Sequence, residues 1–205
     1  MISAGEIRVY SYLNISRVVD FNMGIKSGEH GRVTLRGYLA GLPSAVALQE
    51  EPVRITVQGS GEAEQLLFQG VIQDAITFYE NGVCQVILSA LTNDVKLDRK
   101  EKSRSFQDKS DTYARIMKEA AGSMDGEVRC SHPPVQTGHP VIQFQETDWE
   151  FCRRMASSLG LAVYSDPLSS VPALEVGLVE KGGGISLSSG QYRVCVDEAY
   201  YRLKG

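Results

Sequence analysis

Residues 69–91 read QGVIQDAITFYENGVCQVILSAL, and they constrain the fold more than any other part of the sequence. Two apolar arms meet at Asn81-Gly82. Asn-Gly is the strongest short hairpin signal, because both central turn positions need positive φ. The arms are therefore expected to pair as an antiparallel ribbon. Upstream, GRVTLRGYLA alternates Val33, Leu35 and Leu39 with Thr34, Arg36 and Tyr38. PVRITVQG alternates Val53, Ile55 and Val57 with Arg54, Thr56 and Gln58. Period-two alternation marks a strand with one buried and one wet face. GSGE at 59–62 supplies a second turn. Short strands joined by tight turns predict a small antiparallel β-barrel over residues 1–95.

The character changes after Leu91. TNDVKLDRKEKSRS is charged and weakly patterned, which predicts a linker or surface excursion. Ser110 then opens a helix expected over about 111–121, with Tyr113, Ile116, Met117 and Ala120 on one face and Gly122 as its C-terminal cap. SHPPVQTGHP holds three of the seven prolines and is a loop. VIQF is a short strand, and FQETDWEFCRRMASSLG carries a second helix over about 148–159. LAVYSD, ALEVGLVE and YRVCVDEAYYRL are further strand candidates, with the glycine-rich turn KGGGISLSSG between the last two. The expected fold is α+β and β-dominant. A barrel at 1–95 is followed by an α/β region at 96–165. Strands at 166–205 then begin a second, incomplete barrel.

Bulk properties exclude several classes. A chain of 205 residues buries roughly 70% of its unfolded surface, enough for a sizeable core. The net charge of −4 lacks the basic excess of a dedicated nucleic-acid binder, so no sequence-specific nucleic-acid partner is expected. No apolar run approaches a membrane span. The opening MISAGEIRVYSY has neither the basic start nor the apolar core of an export leader, so none is expected. Cys84, Cys130, Cys152 and Cys195 are far apart without a CxxC pair, as reduced thiols of a cytosolic chain would be.

The search for chemistry centres on Glu146, Asp148 and Glu150 beside Trp149, the only tryptophan. Thr147 and Glu150 form a T-x-x-E capping box ahead of an amphipathic run. Asp148 falls in the first turn, where a negative charge meets the positive end of the helix dipole. Residues two apart on a helix point to opposite sides, so Asp148 and Glu150 do not converge on one atom. Phe151, Cys152, Met155, Ala156 and Leu159 form a core-facing stripe, and Arg153 and Arg154 fall on the polar side. Trp149 suits either the core or an interface.

Cys130, His132 and His139 give C-x-H-x6-H, one ligand short of a structural zinc site. His30 stands alone in the turn SGEHG. The sequence holds no G-x-S-x-G elbow. KGGGISLSSG lacks the Lys-Ser ending of a phosphate loop, and GSGEAE lacks G-x-G-x-x-G spacing. No catalytic residue, metal or cofactor is expected, and the pattern is that of a structural or interaction protein.

Two stretches, SRSFQDKSDTYARIMKEA at 103–120 and VIQFQETDWEFCRRMASSLGLAVY at 141–164, carry a resemblance. In that order and separation they resemble contractile-tail hub proteins. These are the phage baseplate hub of the late-control, tail-protein D type and the hub part of the type VI secretion spike of the valine–glycine repeat (VgrG) family. Arg104, Phe106, Gln107, Lys109 and Ser110 match that family's run before a helix. Gln145, Glu146, Thr147, Asp148, Phe151, Arg154 and Gly160 match its second helix and terminal glycine. Phe68, Gly70 and Val71 resemble its barrel strand. The resemblance covers about residues 65–165.

It implies a structural subunit that forms a homotrimeric ring of small barrels between tail tube and spike. The implied partners are other copies of the chain, the tube or tube-initiator protein, the spike, and baseplate wedge and tape-measure proteins, with no membrane. It also implies a cytoplasmic place during assembly and then a place in the virion or tail-particle baseplate. Family members continue through a complete second barrel, whereas about forty residues follow Tyr164. The sequence is then a piece of a longer chain or a minimal hub, and residues 192–203 are a second-barrel strand left without partners. Two other readings stay open. One is a tail-associated cell-wall hydrolase using Glu146, Asp148, Cys130, His132 or His139. The other is a small carbohydrate- or protein-binding module using Tyr192, Tyr200 and Tyr201.

Overall fold

The computed structural model describes residues 7–41, 51–58, 63–177 and 193–196. The turns expected at 59–62 and 181–190, and Tyr192, Tyr200 and Tyr201, lie outside the described residues. The chain runs through β1 (Ile7–Tyr10), β2 (Ile15–Ile25), β3 (Arg32–Leu39), β4 (Pro52–Val57), β5 (Gln65–Glu80) and β6 (Val83–Thr92). A 3-10 turn (Asn93–Asp98) leads to β7 (Lys102–Phe106), α1 (Tyr113–Gly122), β8 (Glu127–Cys130) and β9 (Val141–Glu146). Then follow α2 (Asp148–Ser158), β10 (Val163–Ser165), β11 (Ala173–Val176) and β12 (Arg193–Val196). Strand dominates, as the alternation predicted.

Seven strands form one curled sheet in the order β1-β4-β5-β6-β3-β2-β12. All neighbours are antiparallel except β12, which runs parallel to β2. The long β5–β6 ribbon turns at Asn81 and Gly82, whose φ values are 52° and 77°. A bulge between Ile72 and Asp74 re-aims it, so that Ala75 packs against the core. The concave face buries Phe68, Leu35, Ile55, Ile72 and Leu88. Gly70 lets two strands close. A Cβ there would lie 2.0 Å from the Leu91 carbonyl oxygen and 2.8 Å from the Phe68 ring.

The second layer has its own apolar cluster. The predicted stripes supply it: Ile116, Met117 and Ala120 from α1, and Phe151, Cys152, Met155 and Ala156 from α2. Around the helices lie a three-stranded sheet in the order β10-β11-β8 and a two-stranded sheet of β7 and β9. No helix among the described residues is long and apolar enough to cross a membrane.

Four expectations are corrected. Residues 93–106 are not a linker: Asn93, Asp94 and Leu97 are buried, and residues 102–106 pair with β9. Asp94, Lys102 and Arg104 among their charges serve buried contacts, which is why no apolar pattern showed. The first helix begins at Tyr113, because Thr112 accepts from the Arg115 amide while the Ser110 amide and hydroxyl both turn to Asp108. Gly122 closes that helix and is not a left-handed cap; Ser123, in αR geometry, follows it. Residues 193–196 have a partner, since Arg193 to Val196 align with Asn22 to Ile25 on the edge of the first sheet.

Candidate functional site

The two motif stretches meet at the start of α2. Pairing of β7 with β9 sets Arg104 opposite Gln143. This brings a guanidinium and an ammonium over the first turn of α2, where Asp148 is only 1% exposed. Lys102 Nζ donates to Asp148 Oδ2 at 2.5 Å, and Arg104 Nη2 pairs with Oδ1. The Ser123 hydroxyl donates to Oδ2 at 3.1 Å, and Gln143 Nε2 to Oδ1 at 3.2 Å. Arg104 also donates Nε to Gln143 Oε1 at 2.6 Å and Nη2 to the Ala120 carbonyl at 3.2 Å. One buried carboxylate thus ties β7, β9 and both helices together. A charge this deep is tolerable only when paired and hydrogen-bonded on all sides.

The neighbouring residues form the capping box that the sequence implied. Thr147 Oγ1 accepts from the Glu150 amide at 3.1 Å, and Glu150 Oε2 accepts from the Thr147 amide at 2.9 Å. Phe106 stacks on Phe151 with centroids 5.5 Å apart, and Arg104 lies over the Phe106 ring and Arg154 over the Phe151 ring. Arg154 is held by Glu146, with Nε donating at 2.7 Å, and by the Ile142 carbonyl. Gln145 has φ 49°, and its amide bonds to Ser103 Oγ across a register shift. Gly160 takes φ 69° just past α2. Lys109 offers its carbonyl to the Gly138 amide, and Gln107 is an exposed surface residue. Phe68 and Gly70 sit apart from this group, at the β5–β6 contact inside the curled sheet.

A second polar cluster joins the curled sheet to the helical layer. His30, expected to be alone, sits between two carboxylates, with Nδ1 2.6 Å from Asp94 Oδ2 and Nε2 3.3 Å from Asp98 Oδ2. Its ring lies against Trp149 in a tilted arrangement with centroids 4.3 Å apart. Ser165 Oγ donates to Asp94 at 2.8 Å and accepts from the Gly31 amide at 3.0 Å. Thr147 Oγ1 donates to Asp98 at 2.6 Å, so the α2 cap is also part of the joint. Backbone bonds run alongside, from Gly28 to Val163 at 2.7 Å and from Gln69 to Pro167 at 2.7 Å. Burial lowers the His30 pKa, but hydrogen bonds and charge from Asp94 and Asp98 outweigh it, and the net direction is upward.

Glu146, Asp148, His132 and His139 of the hydrolase reading are engaged in contacts of their own. Glu146 holds Arg154, and Asp148 holds Lys102 and Arg104. His132 and His139 each bond the carbonyl of the following proline. Burial, with the charge of Asp148, pushes the Cys152 thiol up to about 12, so it is no nucleophile. Cys84, Cys130 and Cys152 are unpaired thiols. Among the described residues no group of three His, Cys, Asp or Glu side chains could hold a metal ion.

No family model matches the sequence, and no curated protein matches it. Solved structures do. The 43 kDa tail protein of prophage MuSo2 from Shewanella oneidensis aligns with 94% of the chain at TM-score 0.64 and 12% identity, over 73% of its own length. The chain shares its fold with phage tail proteins. The tail protein of Neisseria meningitidis MC58 aligns with 83% of it at TM-score 0.59 and 16% identity. An Escherichia coli type VI secretion component, described as similar in structure to the T4 tail proteins gp27 and gp5, aligns with 83% at TM-score 0.56 and 13% identity. The chain spans about half the length of these last two proteins, 50% and 48%.

Sequence reasoning placed Asp148 at a helix end and missed its cations. Lys102 and Arg104 come from a segment read as linker, and only the pairing of β7 with β9 delivers them. The family run Arg104-x-Phe106 was a signal for it, since alternate strand residues share a face and here Arg104 and Phe106 meet Asp148 and Phe151. The His30 cluster had no comparable signal, because its four contributing segments are spread from residue 30 to residue 165.

Proposed function

We propose that the chain is a structural hub subunit of a contractile phage tail or phage-like injection system, forming a trimeric ring that joins tail tube to spike. One observation carries this reading: nearly the whole chain aligns with a phage tail protein. The two motif stretches, brought together around Asp148, add residue-level support. The type VI secretion component among the matching structures extends the reading to spike-bearing machines, with tube and spike proteins as partners. Affinity then resides in strand edges and apolar anchors, not in a pocket for a reacting substrate. The role is scaffolding without catalysis, in the baseplate of the virion or tail particle.

The test is assembly. The untruncated natural protein, mixed with its tube subunit and viewed by electron microscopy, should form threefold rings that cap tube ends. A monomer at high micromolar concentration by light scattering, with no tube binding, overturns the reading. Clearing of bacterial cell walls that is lost in Glu146→Ala would replace it with the hydrolase.

A further inference from the structure

A cleft of about 580 Å³ opens beside the His30 joint, between β2, the β2–β3 turn, β3 and α2. This volume is within the range of small-ligand and peptide-side-chain pockets. Three cations line it: Lys26, Arg32 and Arg153. Lys26 is loosely paired with Glu29 at 3.8 Å, and both are well exposed. Arg32 and Arg153 have no hydrogen-bond or ion-pair partner among the described residues, whereas Arg104, Arg129 and Arg154 are each matched to a carboxylate. The backbone is shaped around one of the free pair. Gly28 has φ 69°, and a Cβ on it would touch the Arg153 guanidinium at 3.4 Å. The guanidinium packs close to Gly28 on the wall of the cleft.

We infer that this cleft is a docking site for a carboxylate-bearing peptide segment, an Asp or Glu side chain seated between Arg32 and Arg153. Two unpaired guanidiniums match the planar, two-oxygen geometry of a carboxylate. The rest of the wall argues against a nucleic acid. Glu29 and Asp98 also line the cleft and repel a polyanionic backbone. Trp149 is 2% exposed and already covered by His30, so no aromatic face is left for a base. The net balance fits one or two negative charges. This chemistry does not depend on the tail role.

The position of Trp149 supplies the assay, since it is the only tryptophan and lines the cleft. The purified protein is titrated with a blocked peptide carrying a single glutamate among glycines while Trp149 fluorescence is followed, with the glutamine form of the peptide and oligothymidylate in parallel. Saturable binding to the glutamate peptide is expected, weakening as salt rises. Arg32→Gln and Arg153→Gln should each weaken it about tenfold, the loss of one charge-assisted contact. Glu29→Gln should strengthen it, which guards against variants that lose binding by misfolding. Several outcomes overturn the proposal. They are no binding at millimolar peptide, equal binding by both arginine variants, or oligothymidylate binding as tightly as the peptide. Self-association that is lost in Arg153→Gln, without peptide binding, assigns the cleft to a second copy and also overturns it.

Discussion

Replacing Asp148 by Asn separates two accounts of the same residue. If Asp148 only opposed the dipole of α2, its charge would be worth about 0.3–1 kcal/mol. The structure gives it two cationic donors while it is 1% exposed itself. Hydrogen bonds to charged groups contribute about 1.5–3 kcal/mol each. Lys102 and Arg104 are 21% and 26% exposed, so water recovers part of that loss when the carboxylate goes. The expected cost of Asp148→Asn is therefore about 3–4 kcal/mol, at the lower end of what breaking a buried pair costs. The side chain keeps its size, so the loss is electrostatic and leaves no cavity. Urea unfolding followed by Trp149 fluorescence measures it by linear extrapolation. A double-mutant cycle with Arg104→Met should return a coupling of at least about 1 kcal/mol. A cost under about 1 kcal/mol for Asp148→Asn, with no coupling, refutes the network and returns the residue to a dipole role.

Thr147→Ala removes the α2 cap and the bond to Asp98, and should cost about 1–2 kcal/mol in the same assay. Gly70→Ala places a methyl 2.0 Å from the Leu91 carbonyl and should lower stability by about 1–3 kcal/mol or more, read as a drop in thermal midpoint. His30 has a folded pKa above its unfolded value near 6.5, so the stability it adds is complete below about that pH and fades as pH rises through the folded value. Melting from pH 5.5 to 8.5 should show that decline in the natural protein and not in His30→Asn. Iodoacetamide mapping of the native protein should label half-exposed Cys130 and leave Cys152 unmodified, its thiol being buried and raised to about 12.

The sequence made local structure legible where chemistry and neighbours in the chain decide it. Asn81-Gly82 turned the ribbon as both positive φ values require, and Thr147-x-x-Glu150 capped its helix with the expected two bonds. The helix stripes buried most of the residues that their spacing marked, with Tyr113 and Leu159 only half-buried. What stayed illegible depends on partners far along the chain. Lys102 and Arg104 look like solvent charges until β9 pairs with β7, 39 residues away at Arg104 and Gln143. His30 looks like a turn residue until Asp94, Asp98 and Trp149 arrive around it. Ser110 outranks Thr112 slightly as a cap, yet its amide and hydroxyl turn to Asp108 while the Thr112 hydroxyl meets the Arg115 amide, a choice made by the surrounding fold.

The last described strand, β12, covers the edge of β2, one of the first strands to be made. In a ribosome-bound nascent chain this edge has to wait. Synthesis at about 5–20 residues per second leaves it bare for on the order of ten seconds or more. Bare edges pair with any strand that offers itself. The order of translation therefore creates a window in which identical chains on one message can exchange this strand, and late delivery of four residues bears on the yield of folded protein as much as on its stability.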